Sequence, residues 1–233
     1  MKVSRSANLL LLLLAPVLMA TANNADAKPK KKVAPVLKTE TTTKKTVAVE
    51  SKTGKTTENG IPLPFYVYSE KSAASPYVPS GWMGDYGDLK INDTYKENPY
   101  DGLTCIQVIY SALKTNGAGW AGIYWQHPAN NWGSRQGGFN LKGAKKFVFW
   151  ARGAQGGEVI AEFKIGGINS QDFPGDSDSA SIGPITLTPL WQQYEIDLAG
   201  KDLSHIIGGF AFAASSDSNA QGFTIYLDNL CFE

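Results

Sequence analysis

KFVFWAR (146–152) and EVIAEFKI (158–165) carry the pattern that decides the fold. In the first, Phe147, Phe149 and Ala151 alternate with Val148, Trp150 and Arg152, so an extended chain sends each set to its own face. In the second, Val159, Ala161, Phe163 and Ile165 oppose Glu158, Ile160, Glu162 and Lys164. Outward from these runs the pattern recurs, predicting strands over 65–68, 89–91, 104–112, 121–126, 185–188, 192–198, 206–213 and 223–232. Gly, Pro, Asn and Asp punctuate them, and 143–145 and 201–205 read as turns or single-turn pieces. Roughly ten short strands with turn signals every 8–12 residues predict an all-β, antiparallel two-sheet β-sandwich, most simply a jelly roll. Residues 62–233 are long enough for one such domain with a real core.

The chain before residue 62 has a different character. Lys2 and Arg5 precede an apolar run from Leu9 to Met19, and small residues offer cleavage after Ala22 or Ala27. Residues 1–27 are therefore expected to be a secretory signal peptide, too short in its apolar part to span a bilayer. Residues 28–61 hold nine Lys against three Glu and no aromatic residue. Such a segment cannot bury enough apolar surface to offset its ordering entropy, so a disordered linker is expected. It serves either as a solvated spacer or as an electrostatic tether to an anionic cell-envelope surface. Residues 62–233 hold eleven Lys and Arg against seventeen Asp and Glu. A net charge of −6 argues against nucleic-acid binding by the domain itself. The expected location is outside the cytoplasm, periplasmic or extracellular. Export permits a disulfide between Cys105 and Cys231, and two buried free thiols are the other reading.

The stretch GAGWAGIYWQHPANNWGSRQGGF (117–139) gathers Trp120, Tyr124, Trp125 and Trp132 among Gly, Asn, Gln and one Arg. Flat aromatic faces beside amide and guanidinium donors suit a sugar, whose C–H face stacks on π surface while its hydroxyls take planar polar partners. Alternation places Ile123 and Trp125 in the core and leaves Tyr124 and Gln126 on the other face, with Trp120 at the start of the strand. Trp132 and Arg135 fall in the glycine-punctuated loop 128–138. The candidate glycan site is thus Trp132 and Tyr124 as stacking platforms with Trp120, and Arg135, Gln126 and Asn131 as hydrogen-bonding groups. Trp82, in a Gly-rich loop, is a further candidate; Trp150 and Arg152 extend the same face or pack under a loop; Trp191 is assigned to the core.

Catalytic signatures are thin. The chain has two histidines, no Gly-x-Ser-x-Gly elbow and no phosphate-binding glycine loop with Lys-Ser/Thr. Two His and two Cys make a zinc site improbable. A jelly-roll glycosidase needs two facing carboxylates. Glu158 and Glu162, four apart on one strand, would stand about 13 Å apart, beyond the roughly 6.5–9.5 Å of inverting enzymes. Glu195 and Asp197 lie on the solvated face of the Tyr194/Ile196/Leu198 strand. The expectation is a non-catalytic domain that binds a neutral glycan. The alternatives are an envelope adaptor that binds a protein and a jelly-roll glycoside hydrolase.

Several segments together, PSGWMGDYGDLKIND (79–93), GWAGIYWQHPANNWG (119–133), FVFWARG (147–153), GPITLTPLWQQYEIDLAGKDLSHIIGGFAFAA (183–214) and FTIYLDNLCFE (223–233), resemble secreted bacterial carbohydrate-binding-module-like domains of the galactose-binding-like, β-jelly-roll type. The resemblance covers most of 62–233, and it is strongest as a signature of fold. Glu195-Ile196-Asp197 resembles the start of the Glu-x-Asp-x-x-Glu strand of laminarinase-type β-glucanases, but Gly200 stands where the acid/base would be. The first resemblance also implies a structural Ca²⁺ where the first and last strands meet, at Glu70 and Asp228. The carboxylates of 85–93 (Asp85, Asp88, Asp93) are expected to be turn formers rather than ion ligands.

Overall fold

The structure is a computed structural model and describes residues 60–70 and 75–233. The strands, in chain order, are β1 (Phe65–Tyr68), β2 (Val78–Gly84), β3 (Leu89–Tyr95), β4 (Cys105–Tyr110), β5 (Trp120–Gln126), β6 (Lys146–Gly153), β7 (Val159–Ile160), β8 (Glu162–Gly166), β9 (Ser179–Ile182), β10 (Ile185–Thr186), β11 (Gln192–Asp197), β12 (Gly208–Ser215) and β13 (Phe223–Phe232). One sheet runs β11-β6-β13-β4-β3, with β1 also on β13. The other runs β2-β5-β12-β8-β9, and β7 and β10 form a two-stranded pair. Every pairing is antiparallel. The expected sandwich is what the chain forms.

The length of β13 explains how one strand serves three neighbours. Its first half, Phe223–Leu227, pairs with β4, and Leu230–Phe232 pairs with β1, so β1 takes over where β4 stops. Along its other side β13 pairs with β6. Between the sheets lies a core of rings and branched chains. Phe210 of β12 packs against Trp125, Phe147, Phe149 and Phe163, with centroids 5.4 to 5.9 Å apart. Trp125 and Ile123 are in that core, as the alternation requires.

The structure departs from the sequence pattern in several places. β2 and β9 were not among the expected strands. VPSGWMG carries Pro and Gly, and SASI is small and polar, so neither shows alternation strong enough to signal a strand. Trp82 therefore sits in an edge strand, opposite Ile123, and not in a loop. The run 158–165 is broken at Ala161, which bends out of both β7 and β8 and inverts the parity behind it. Ile160 and Phe163 are both fully buried, and Glu158 and Glu162 share no face. Trp191 lies outside the core, beside Arg152. Ile61, placed in the linker, donates its N–H to the Asn140 carbonyl at 3.0 Å and packs on the core, so it belongs to the domain. A single 3-10 turn spans Tyr86–Asp88.

Asp85 and Asp88 act as turn clamps. The Asp85 carboxylate accepts the N–H groups of Asn116 (2.7 Å), Ala118 (3.0 Å) and Gly119 (2.7 Å), and Asp88 accepts that of Lys114 (2.7 Å). Burial pushes the Asp85 carboxyl up, but those amide donors outweigh it and hold it below its ordinary range. Cys105 and Cys231 are buried free thiols, which decides between the two readings of the pair. Burial pushes each thiol up to about 12. The leader 1–27, its cleavage positions and residues 28–59 of the basic segment lie outside the described residues. Among the described residues no helix is long and apolar enough to cross a membrane.

Candidate functional site

The outer face of the five-stranded sheet is built by every second residue of its strands. From β5 it receives Gly122 and Tyr124, with Trp120 at the strand start; from β8 it receives Glu162 and Lys164; from β12, Ala211 and Ala213; from β2, Met83. Met83, Trp120, Tyr124, Glu162, Lys164, Ala211 and Ala213 line one open groove of about 190 Å³. Small residues on the central strand β12 keep its floor low, and the larger side chains stand around it.

Trp132 reaches this face from its loop. Its ring meets that of Tyr124 edge to face, centroids 5.8 Å apart. Trp120 and Trp132 are 40% and 43% exposed, while Tyr124 between them is only 7% exposed. The Tyr124 hydroxyl donates to the Gly166 carbonyl at 3.0 Å, which fixes the ring, and burial pushes its ionisation well up. The structure therefore brings three of the expected residues together: two open indoles and a fixed phenol.

Two expected ligand-binding side chains are placed elsewhere. Gln126 and Asn131 are both 0% exposed, which corrects the assignment of each as a group facing ligand. Gln126 Oε1 accepts from Ser80 Oγ (3.0 Å) and its amide donates to the Asn131 carbonyl (3.1 Å). Asn131 donates to the Arg135 carbonyl (3.0 Å) and accepts the Gly133 N–H (3.1 Å). A buried amide must find such partners or lose stability, and here the partners are the backbone of the loop that displays Trp132. Gly133 matters for the same reason. Its φ of +79° is left-handed, and a β-carbon there would come within 2.6 Å of Ser170 Cβ. Arg135 is exposed, and its guanidinium donates to the Ala129 carbonyl within the same loop.

The reading of the sequence missed Met83, Glu162 and Lys164. Met83 was hidden by the missed β2. Glu162 and Lys164 were visible as the polar half of an alternating strand, but that signal does not separate a solvated face from the wall of a groove. Of the two readings of Trp150 and Arg152, extension of this face fails because β6 belongs to the other sheet, whereas packing under a loop describes Trp150, on which Tyr100 of the segment between β3 and β4 stacks.

Glu70 and Asp228, the two positions that the resemblance marked for Ca²⁺, both hold the segment 100–104. Glu70 accepts the Leu103 N–H (2.5 Å) and the Thr104 hydroxyl (2.7 Å). Asp228 accepts the N–H groups of Tyr100 (2.9 Å), Asp101 (3.3 Å) and Asn229 (2.8 Å). Burial raises the Asp228 carboxyl to about 6 despite those donors, with Glu70 adding to the rise. Ca²⁺ takes six to eight oxygens. Here all four carboxylate oxygens already accept protein N–H or O–H, and no third His, Cys, Asp or Glu joins them among the described residues. As arranged, the pair does not fit the ion.

For the jelly-roll glycosidase alternative, Glu162 is the one carboxylate among the described residues that line this groove, beside Lys164. Glu195 is exposed on β11 and pairs with Lys146 at 3.4 Å.

No protein-family model and no curated protein matches the chain. Solved structures do match, at 15% sequence identity. A family 30 carbohydrate-binding module has a TM-score of 0.50, with 73% of this chain and 98% of that one covered. The family 30 carbohydrate-binding module of the cellulosomal cellulase Cel9D-Cel44B of Clostridium thermocellum has a TM-score of 0.51, with 73% and 97% covered. Two facing antiparallel sheets, closed by a long final strand, give residues 60–233 the β-sandwich fold of carbohydrate-binding modules.

Proposed function

We propose that this domain is a non-catalytic glycan-binding module and that the groove on the five-stranded sheet receives a neutral saccharide chain. The observation that carries the reading is the pair of indoles left open to water on either side of Tyr124: Trp120, which lines the groove, and Trp132, whose ring meets that of Tyr124 edge to face. An exposed indole in a glycine-rich loop costs solubility unless it has a partner. Sugar rings would stack on the two indoles, while Glu162 and Lys164 supply an acceptor and a donor for hydroxyls. Each indole contributes about 1–2 kcal/mol, so micromolar or weaker affinity is expected. Export by the leader and attachment of the basic segment to an anionic envelope surface complete the proposal.

The test is affinity electrophoresis and calorimetry of the full chain against a panel of neutral polysaccharides. Trp132→Ala and Trp120→Ala should each weaken retention roughly tenfold, with melting temperatures within about 2 °C of the parent. Failure to retain any neutral glycan, or retention indifferent to both substitutions, would overturn the reading. Capture of a protein instead would place the aromatics at a protein interface.

A further inference from the structure

On the opposite side of the sandwich, the six-stranded sheet carries a second polar and aromatic row that the groove does not use. The register aligns Asn92 with Gln107, Gln107 with Tyr226, and Tyr226 with Arg152, across β3, β4, β13 and β6. Trp191, just before β11, continues the row: the Arg152 guanidinium carbon lies 3.8 Å from the Tyr226 ring centroid and 5.2 Å from that of Trp191. Beside them Tyr100 stacks on Trp150, centroids 3.7 Å apart and planes 13° from parallel, with its outer face exposed. The cluster is braced from below and at its edge. Trp191 Nε1 donates to the Asn98 carbonyl (3.1 Å), and the Tyr95 hydroxyl donates to Glu97 (2.8 Å).

The guanidinium at the centre lies against two ring faces. Arg152 Nε is buried without a hydrogen-bond partner, and no carboxylate pairs with Arg152 among the described residues. Asp228, two residues beyond Tyr226 on the same face of β13, has its oxygens engaged by the amides of Tyr100, Asp101 and Asn229. A half-buried cation lying against two aromatic rings, with its Nε unmatched and no carboxylate paired to it, is complementary to a planar anion, which a guanidinium takes in bidentate fashion.

We propose that this face is a second binding site, for a saccharide unit bearing a carboxylate. Arg152 binds the carboxylate, Tyr100 offers a ring face, and the Gln107 amide takes a hydroxyl. Gln107 and Arg152 sit on strands two apart, hence about 10 Å from each other, a span of roughly one to two sugar rings. The row lies across β13 and β6, interior strands whose backbone groups are paired, so a peptide has no strand edge to extend. The acidic balance of residues 62–233 disfavours a dense polyanion such as nucleic acid, whereas one carboxylate per ring needs only one cation.

The probe is polygalacturonate, with its fully methyl-esterified form and a neutral galactan as controls, against the full chain. Because the lysines of 28–61 also attract anions, a variant with those lysines changed to Gln is run alongside. Retention by polygalacturonate should survive in that variant and fall tenfold or more in Arg152→Gln, and the ester should be retained no better than the galactan. Arg152→Gln should leave binding of neutral glycan at the Trp120/Trp132 groove unchanged, so the two sites fail or stand separately. Should Arg152→Gln not fold, Tyr100→Ala and Gln107→Ala give the reading, each lowering retention several-fold. Retention that follows the lysines alone, that ignores the Arg152, Tyr100 and Gln107 substitutions, or that is absent altogether would overturn the proposal.

Discussion

Gln126 and Asn131 show how a residue type can be read correctly and its role inverted. The composition of 117–139 announced amides near aromatic rings, and the structure has them there. At the end of β5, however, the outward side chain lies beneath the loop that turns back over it, so Gln126 meets Ser80 and Asn131 rather than solvent. Chain reversal is a tertiary event, and local periodicity does not report it. The consequence is measurable. Gln126→Ala strips partners from Ser80 and from the Asn131 carbonyl and leaves a small void, a loss of about 1–3 kcal/mol. The expected outcome in calorimetry is a fall in melting temperature of roughly 4–10 °C, together with weaker glycan retention because Trp132 is no longer held. Direct contact with ligand would give the reverse split: lost retention and an unchanged melting temperature.

A strand with strong alternation, such as β6, was legible because one of its faces is fully buried while Lys146, Trp150 and Arg152 on the other are only half-buried. Weak ones were not. Pro79, Gly81 and Gly84 hid β2, and the bend at Ala161 shifted parity by one residue, which is enough to exchange the faces of everything before it. The junction of β1, β13 and loop 98–104 is the instructive case. The resemblance implied a metal there, and the two carboxylates are present, but as arranged their oxygens accept the N–H groups of Tyr100, Asp101, Leu103 and Asn229 and the Thr104 hydroxyl. Glu70 and Asp228 hold the loop as amide acceptors. Chelation with EGTA should therefore leave the melting temperature within about 1 °C, and added Ca²⁺ should not raise it. A drop of several degrees that Ca²⁺ alone restores would show that the carboxylates turn to the ion when it is supplied.

Both candidate faces depend on one layer of rings. Phe210 touches Trp125 of β5, Phe147 and Phe149 of β6, and Phe163 of β8, so it joins the sheet bearing the groove to the sheet bearing Arg152. Fully buried, it has no water-filled space to yield into, and close-packed interiors relax only partly around a lost ring. Phe210→Ala should cost about 3–5 kcal/mol, read as a lower midpoint in urea with little change in slope. Phe210→Leu, which keeps most of the volume, should recover much of that loss. The effect on binding discriminates further. Trp120 and Trp132 are positioned by β5 and by the loop bonded to Gln126, neither of which touches the missing ring except through Trp125. At temperatures where the variant remains folded, its affinity for neutral glycan should stay within about threefold of the parent, a difference under 1 kcal/mol. A large affinity loss in the folded variant would mean that the groove is shaped by the core itself rather than by the bonds at its rim.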